Sequence, residues 1–382
     1  MLFIVFVAVA LAPPPLAWSR FAVGTVARVT SPALCHAPAA APLDDSPSVP
    51  VSPPIAASGL VSTGVHRAGF CSILGVPNVG KSTLLNALLG ERLSIATSKA
   101  QTTRHRILGI VNDAHHQIVF SDTPGVLLPQ YRLQEGMMAF VRSSIVDADV
   151  ILLVVDIFQD EFPDEKLLRQ LRASPAALLV LLNKVDLLDV ENAVDERRAR
   201  KADERLAQYG TPEDLLQRWR DEFPGATVLP MSARKAAIGE DAVAAGTDAV
   251  LRHVRALLPV HPPFYDKEQL TDRPERFFAS EMLREAIFEF YDEEIPYSCE
   301  CRVESFKESD DIIRIAACIF VSHESQKGIV IGKGGKALKK TGTRARQRME
   351  EFFCKKVFLE TRVKVAPNWR QNEKSLESFG YM

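Results

Sequence analysis

The chain has 382 residues, more than one hydrophobic core usually organises, so two domains with appendages are expected. A quarter of the residues are charged, yet 46 Lys and Arg against 48 Asp and Glu leave a net charge of −2. That balance excludes a surface that attracts polyanions everywhere, and any nucleic-acid contact must be a local patch.

Residues 1–65 differ from the rest: no acidic residue precedes Asp44, and Ala, Pro, Ser and Val dominate. Met1 to Ala12 is apolar but short for a bilayer span, and it leads into a Pro-, Ser- and Ala-rich stretch. A signal-like start before a transit-like segment reads as a targeting presequence and resembles the two-part leaders of algae with complex plastids. The plastid stroma is the expected destination. A mitochondrial presequence, a secretory signal and a misassigned start codon are the competing readings. The six cysteines carry no C-x-x-C pair, and Cys299 and Cys301 alternate like one face of a strand. They read as reduced thiols, which argues against secretion.

From residue 66 strand and helix patterns alternate up to residue 258. The first apolar run, Phe70 to Leu74, is followed by Gly75-Val76-Pro77-Asn78-Val79-Gly80-Lys81-Ser82 and then by a helical pattern from Thr83 to Leu89. This is a phosphate-binding loop in its strand-loop-helix setting. Backbone N–H groups from Gly75 to Thr83 face phosphate oxygens, Lys81 reaches the β and γ oxygens, and Ser82 ligates Mg²⁺. Next comes Ser98 to Arg106, polar and poor in apolar anchors, which is expected to order only around something bound. Thr103, preferred over Thr102, is the hydroxyl expected to meet Mg²⁺ when a γ-phosphate is present. A solvated connection is the bland reading of the same residues.

The strand Gln117 to Ser121 ends in Asp122-Thr123-Pro124-Gly125. Asp122 is expected in the Mg²⁺ shell and the Gly125 N–H at the γ-phosphate, so Lys81, Thr103, Asp122 and Gly125 form the expected catalytic set. The runs Val150 to Asp156 and Ala177 to Leu182 are continuously apolar, as strands buried on both faces are. The second delivers Asn183-Lys184-Val185-Asp186, whose Asp186 carboxylate accepts two hydrogens from guanine that adenine does not offer. Lys184 would lie along the base, and Ser232-Ala233, after a further strand, would supply a backbone N–H to the guanine oxygen. The sum is an α/β GTP-binding domain of the phosphate-loop, Ras-like type with a mostly parallel sheet.

Ras-like proteins carry a glutamine after Asp-x-x-Gly to orient water; here Val126 stands there. The segment Gln101-Thr102-Thr103-Arg104-His105-Arg106 resembles the corresponding segment of Era-type GTPases, with a departure at Ala100, where proline is common. The resemblance implies slow GTP hydrolysis, with K⁺ held partly by Asn78 as a candidate activator. Between the strands, Val190 to Phe223 is rich in Arg, Glu and Asp at helical spacing, and reads as solvated helix.

Pro259, Pro262 and Pro263 open a linker, 259–275. From residue 276 to 382 the pattern is helix, two strands around an acidic turn, two helices around Gly332-Lys333-Gly334-Gly335, and a last strand. This resembles a type-two KH domain, an α+β fold that clamps single-stranded RNA. Ser325 to Met349 holds eight basic and no acidic residues, while Arg276 to Asp311 holds four basic and eleven acidic ones. The expected RNA-contact residues are Gly328, Ile331, Gly332, Lys333, Gly334, Gly335, Lys336, Lys339 and Lys340. A second nucleotide site is the weaker reading, since no Gly-Lys-Ser/Thr ending follows. Trp369 reads as core, and the tail, with Leu376, Phe379 and Tyr381, is expected to dock on its own domain.

The Era resemblance spans residues 67–382. It implies a monomer that binds GTP and GDP and the unpaired 3′ end of small-subunit rRNA, and that assists small ribosomal subunit assembly, with no DNA partner. The rival is a membrane-associated signalling GTPase in which the basic edge meets anionic lipid.

Overall fold

The computed structural model describes residues 65–382, apart from 98, 158, 160–161, 189–199, 201–202, 205, 209 and 240–245. Residues 1–64 of the expected targeting presequence and part of the charged stretch Val190 to Phe223 lie outside the described residues.

The first domain is built on a six-stranded sheet: β1 (Arg67–Leu74), β2 (Ile107–Asn112), β3 (His116–Asp122), β4 (Val150–Asp156), β5 (Ala177–Asn183) and β6 (Thr227–Pro230). Their order is β2-β3-β1-β4-β5-β6. Only β2 runs antiparallel, paired with β3. Seven residues of β4 and β5 align in register from Val150 with Ala177 to Asp156 with Asn183. Every residue from Val150 to Val155 is buried, which is why the sequence reads as an unbroken apolar run. Helices α1 (Lys81–Leu89), α2 (Arg132–Val146), α3 (Glu165–Ala173), α4 (Pro212–Glu222), α5 (Ala233–Ala237) and α6 (Thr247–Leu257) belong to this domain. In α4, Leu215 and Trp219 face the core, and Thr211 caps the helix reciprocally with Asp214.

The segment after α6 is pinned along the sheet. Gln117 donates to the Tyr265 carbonyl and accepts from the backbone N–H groups of Phe264 and Tyr265, and Thr271 donates to the Leu108 carbonyl at 2.7 Å. The second domain follows with α7 (Glu275–Phe290), α8 (Ile295–Ser298), β7 (Glu300–Glu308), β8 (Ile312–Val321), α9 (Glu324–Ile331), α10 (Lys336–Phe353), β9 (Lys356–Val365) and α11 (Glu373–Ser378). The sheet order is β7-β8-β9, with β8 antiparallel to β7 and parallel to β9. Alternate residues Ile313, Ile315, Ala317, Ile319 and Val321 of β8 face α7 and α10 across one core.

The tail does not dock on its own domain alone. Trp369, Leu376 and Tyr381 are buried in one apolar cluster with Leu133, Met137 and Val141 of α2, in the first domain. The backbone of Leu133 donates to the Arg370 carbonyl at 3.1 Å, and Arg132 pairs with Glu373. Trp369 is core, as its sequence neighbourhood suggests, but core shared between two domains. Its indole N–H donates to the Ser298 carbonyl at 2.9 Å.

Candidate guanine-nucleotide and RNA sites

The carboxyl ends of β1, β3 and β5 and the start of α1 surround a cavity of about 370 Å³. Twelve of the expected nucleotide residues line it: Pro77, Asn78, Gly80, Lys81, Ser82, Thr83, Thr103, Gly125, Asn183, Lys184, Asp186 and Ala233. Gly75, Val79, Asp122, Thr123, Pro124 and Ser232 stand behind that wall. The Thr123 hydroxyl is turned away, donating to the Ile73 carbonyl at 2.8 Å.

Gly80 has φ 101°, and a Cβ there would sit 2.4 Å from the Asn183 amide nitrogen, so both conformation and space demand glycine. Asn183 ties the loop to the base-recognition strand, donating to the Val79 carbonyl at 2.6 Å and accepting from the Ala233 N–H at 2.9 Å. That N–H, one of those expected to meet the guanine oxygen, lies at the cavity wall and is engaged here by Asn183. Ser232 contributes its hydroxyl, which donates to Asp186 at 2.6 Å and accepts from the Lys235 N–H at 3.1 Å. Lys184 pairs with Asp156 at 2.7 Å.

Burial pushes the Lys81 ammonium down to about 8, with Asp122 pulling the other way, and its Nζ donates to the Val76 carbonyl at 3.0 Å. A buried ammonium held chiefly by a neutral carbonyl is a cation short of an anion. Burial likewise raises the Asp122 carboxyl above the usual range, against the charge of Lys81. Its Oδ2 accepts from Ser82 at 2.7 Å and lies 3.4 Å from the Thr103 hydroxyl, and those two hydroxyls are 2.8 Å apart. The other oxygen, Oδ1, is buried beside Ser94 without a well-formed hydrogen bond. One half-satisfied carboxylate and two converging hydroxyls make an all-oxygen set that suits a hard divalent cation retaining much of its water.

Val126 is wholly buried in the core with α2, so no side chain at this position reaches the cavity to place water. Sequence reasoning missed Arg234, which lines the cavity with its guanidinium 3.7 Å from Asp186. Its place two residues after Ser232 was the available signal. Arg104 and His105 were missed as well, because both are polar residues in a segment expected to need a ligand for order. Both pack against the second domain, with Arg104 2% exposed and His105 8% exposed.

In that second domain α9 ends at Ile331, and Lys333–Gly335 form a single 3₁₀ turn into α10. Lys333, Gly334, Lys336, Lys339 and Lys340 are exposed, while Ile331 and Gly332 are half-buried. Gly332 has φ 69°, and a Cβ would come within 2.7 Å of the Ala337 Cβ, so the two helices close tightly over it. Tyr291 locks the pair, donating to the Val330 carbonyl at 2.8 Å and receiving the Thr341 hydroxyl at 3.1 Å. Beyond the turn, Lys336, Lys339, Lys340 and Arg344 border an open hollow floored by Phe290. Arg344 pairs with Glu289 at 3.2 Å, and the three exposed lysines leave the rim positive, as a phosphate backbone requires.

Among the described residues no helix is long and apolar enough to cross a membrane, and no group of three His, Cys, Asp or Glu could hold a metal. Cys71, Cys299, Cys301, Cys318 and Cys354 are free thiols.

The chain matches the family described as "50S ribosome-binding GTPase" over residues 70–184 and the KH domain family over residues 294–370. GTPase Era of Geotalea uraniireducens is 41% identical, over 82% of this chain and 98% of its own. The chloroplastic Era GTPase of Zea mays is 40% identical, over 83% of this chain and 71% of its own. A crystal structure of Era with MgGDPNP and nucleotides 1506–1542 of 16S ribosomal RNA aligns with TM-score 0.71 and 33% identity, covering 83% of this chain and 99% of that one. Aquifex aeolicus Era bound to GDP and aluminium fluoride aligns equally well, at 0.71 and 32%, over 82% of this chain and 99% of that one. A phosphate-loop domain followed by a KH domain, in a chain that matches nearly the full length of the Geotalea relative at 41% identity, makes the chain a member of the Era family of GTPases.

Proposed function

We propose that this GTPase binds the single-stranded 3′ end of small-subunit rRNA in the cleft at Gly332–Gly335 and assists assembly of the small ribosomal subunit in a plastid. The observation that carries the reading is the pairing of a Lys81 buried in the phosphate loop of one domain with an exposed lysine-framed glycine turn in the other. One is suited to a triphosphate held out of water, the other to phosphates held at its edge.

Ser82, Thr103 and Asp122 would hold Mg²⁺, which neutralises charge between the β and γ phosphates. Asp186 and Ser232 would read guanine, and Asn78, with its backbone at φ 65°, is the candidate K⁺ ligand. With Val126 buried, water must be placed by some other group, and slow intrinsic turnover, raised by K⁺ or by a partner that supplies charge, is the expectation. The boundaries 66–258, 259–275 and 276–382 are the working division into GTP-binding domain, linker and KH domain. The chloroplastic relatives from Zea mays, Oryza sativa and Arabidopsis thaliana support the plastid reading, with the mitochondrial matrix as the alternative.

The test is binding of a labelled single strand matching the 3′ end of plastid small-subunit rRNA, against a scrambled strand and anionic vesicles, with a GTP analogue or GDP present. Sequence-dependent capture that is stronger with the GTP analogue is the expected result. Equal capture of scrambled RNA and vesicles would refute the reading in favour of a lipid-binding signalling protein. Turnover measured in K⁺ and Na⁺ at one ionic strength decides the role of Asn78, and residues 1–65 fused to a fluorophore report the organelle.

A further inference from the structure

Thr103, the hydroxyl beside Ser82 and Asp122, is followed at once by two buried residues that belong to a different environment. The Arg104 guanidinium donates to the carbonyls of Cys299 at 2.7 Å, Pro296 at 3.1 Å and Tyr297 at 3.2 Å, and to Glu300 at 2.9 Å. Three of those acceptors are the carbonyls that close α8, where a cation is favoured by the helix dipole. The same Glu300 oxygen accepts the Tyr381 hydroxyl at 2.6 Å. The Tyr381 ring stacks on His105 at 4.4 Å and 13°, and Phe277 meets His105 edge-on at 5.6 Å. The penultimate residue of the chain thus touches both the switch segment and the carboxylate that holds Arg104.

The tail is itself held. The Tyr381 N–H donates to the Leu376 carbonyl at 2.9 Å, and its carbonyl lies against Gly136 of α2, where a Cβ would come within 2.6 Å. Leu376 and Trp369 are fully buried. A chain of packed groups therefore runs from α2 through Tyr381 to Arg104 and His105, one residue from Thr103.

We propose that Tyr381 is a positioning residue for the nucleotide switch: the C-terminal tail fixes Arg104 and His105, and thereby sets Thr103 in place before a triphosphate arrives. This rests on the reading of Thr103 as the hydroxyl that meets the Mg²⁺-triphosphate. A segment ordered in advance loses less freedom on binding, so the tail strengthens triphosphate binding selectively. GDP makes no call on Thr103 and gains nothing from it.

The test uses the full chain and three substitutions, Tyr381→Ala, Tyr381→Phe and Thr103→Ala, with affinities for a non-hydrolysable GTP analogue and for GDP, both with Mg²⁺. Tyr381→Ala is expected to weaken the analogue by about 5-fold or more while GDP affinity stays within about twofold. Tyr381→Phe keeps the stack, loses the bond to Glu300, and falls between. If Thr103→Ala lowers the ratio and neither tail variant does, the proposal is wrong and the reading of Thr103 stands. If Thr103→Ala leaves the ratio intact, that reading fails and takes the proposal with it. If Tyr381→Ala weakens both nucleotides alike, its role is merely structural and the proposal is overturned.

Discussion

Two glycine turns open helices in this molecule, and they treat charge in opposite ways. The turn before α1 buries its lysine, and burial drives Lys81 down to about 8. The turn before α10 leaves Lys333 and Lys336 in water. A buried cation has already lost its hydration, so a phosphate that pairs with it gains strongly and in one geometry. Solvated lysines give up little and gain little each, and their hold depends on salt. One turn is therefore built for selection, the other for grip.

The largest effect expected from that contrast is at the base. Replacing Asp186 by Ala removes the acceptor that Ser232 orients, and the preference for guanosine over adenosine triphosphate should fall by roughly 10⁴-fold. Competition binding measures the ratio directly, and a preserved ratio would show that selection lies elsewhere in the cavity.

The joint between the two turns has its own signature. Burial, followed by the charges of Arg273, Arg284 and Arg104, holds the His105 imidazole well below its usual range. The buried Tyr381 hydroxyl and Glu300 also face this cluster. Folded protein keeps His105 neutral, while the unfolded chain takes a proton below about pH 6.5. Stability is thus complete above that pH and is lost as pH falls below it, by up to about 1.4 kcal/mol per unit until the folded value is reached. Unfolding midpoints recorded from pH 7 to pH 5 should drop less in His105→Gln, which has nothing to protonate.

How far these features are legible in the sequence depends on whether one chain segment or two make them. In the large sheet β4 and β5 stand out because they are apolar up to their last residues, Asp156 and Asn183, and in the small sheet β8 stands out because it is apolar at every position but Arg314. The phosphate loop and Asn183 to Asp186 are legible because their chemistry needs fixed residue types at fixed spacing. Arg104, His105 and Tyr381 are not, because a polar residue that pairs with a distant segment has the same local pattern as a solvated one. The engagement of the Ala233 N–H by Asn183 is hidden for the same reason, since the partners lie 50 residues apart. The tail shows apolar anchors at helical spacing, but spacing does not say which core they enter.

Gly332→Ala sharpens the contrast at the second turn, where RNA is proposed to bind. The added methyl group meets Ala337 and is forced into a positive φ, so the helices must part, and RNA affinity should fall by about tenfold. GTP affinity, measured in the same preparation, should be unaffected, since the turn lies in the other domain.

The smallest effect is the most diagnostic of grip without selection. Lys336 lies exposed in the first turn of α10, where its ammonium can follow a phosphate without a fixed partner. Replacing it by Gln removes one ion contact, so the slope of log affinity against log salt should flatten by about 0.7 for single-stranded RNA. Between 50 and 200 mM salt the wild-type chain should then lose about threefold more affinity than the variant. The loss should be the same for matched and scrambled strands, because a phosphate contact carries no sequence information. A variant that lost affinity for the matched strand alone would place Lys336 against a base edge and turn this lysine from grip to selection.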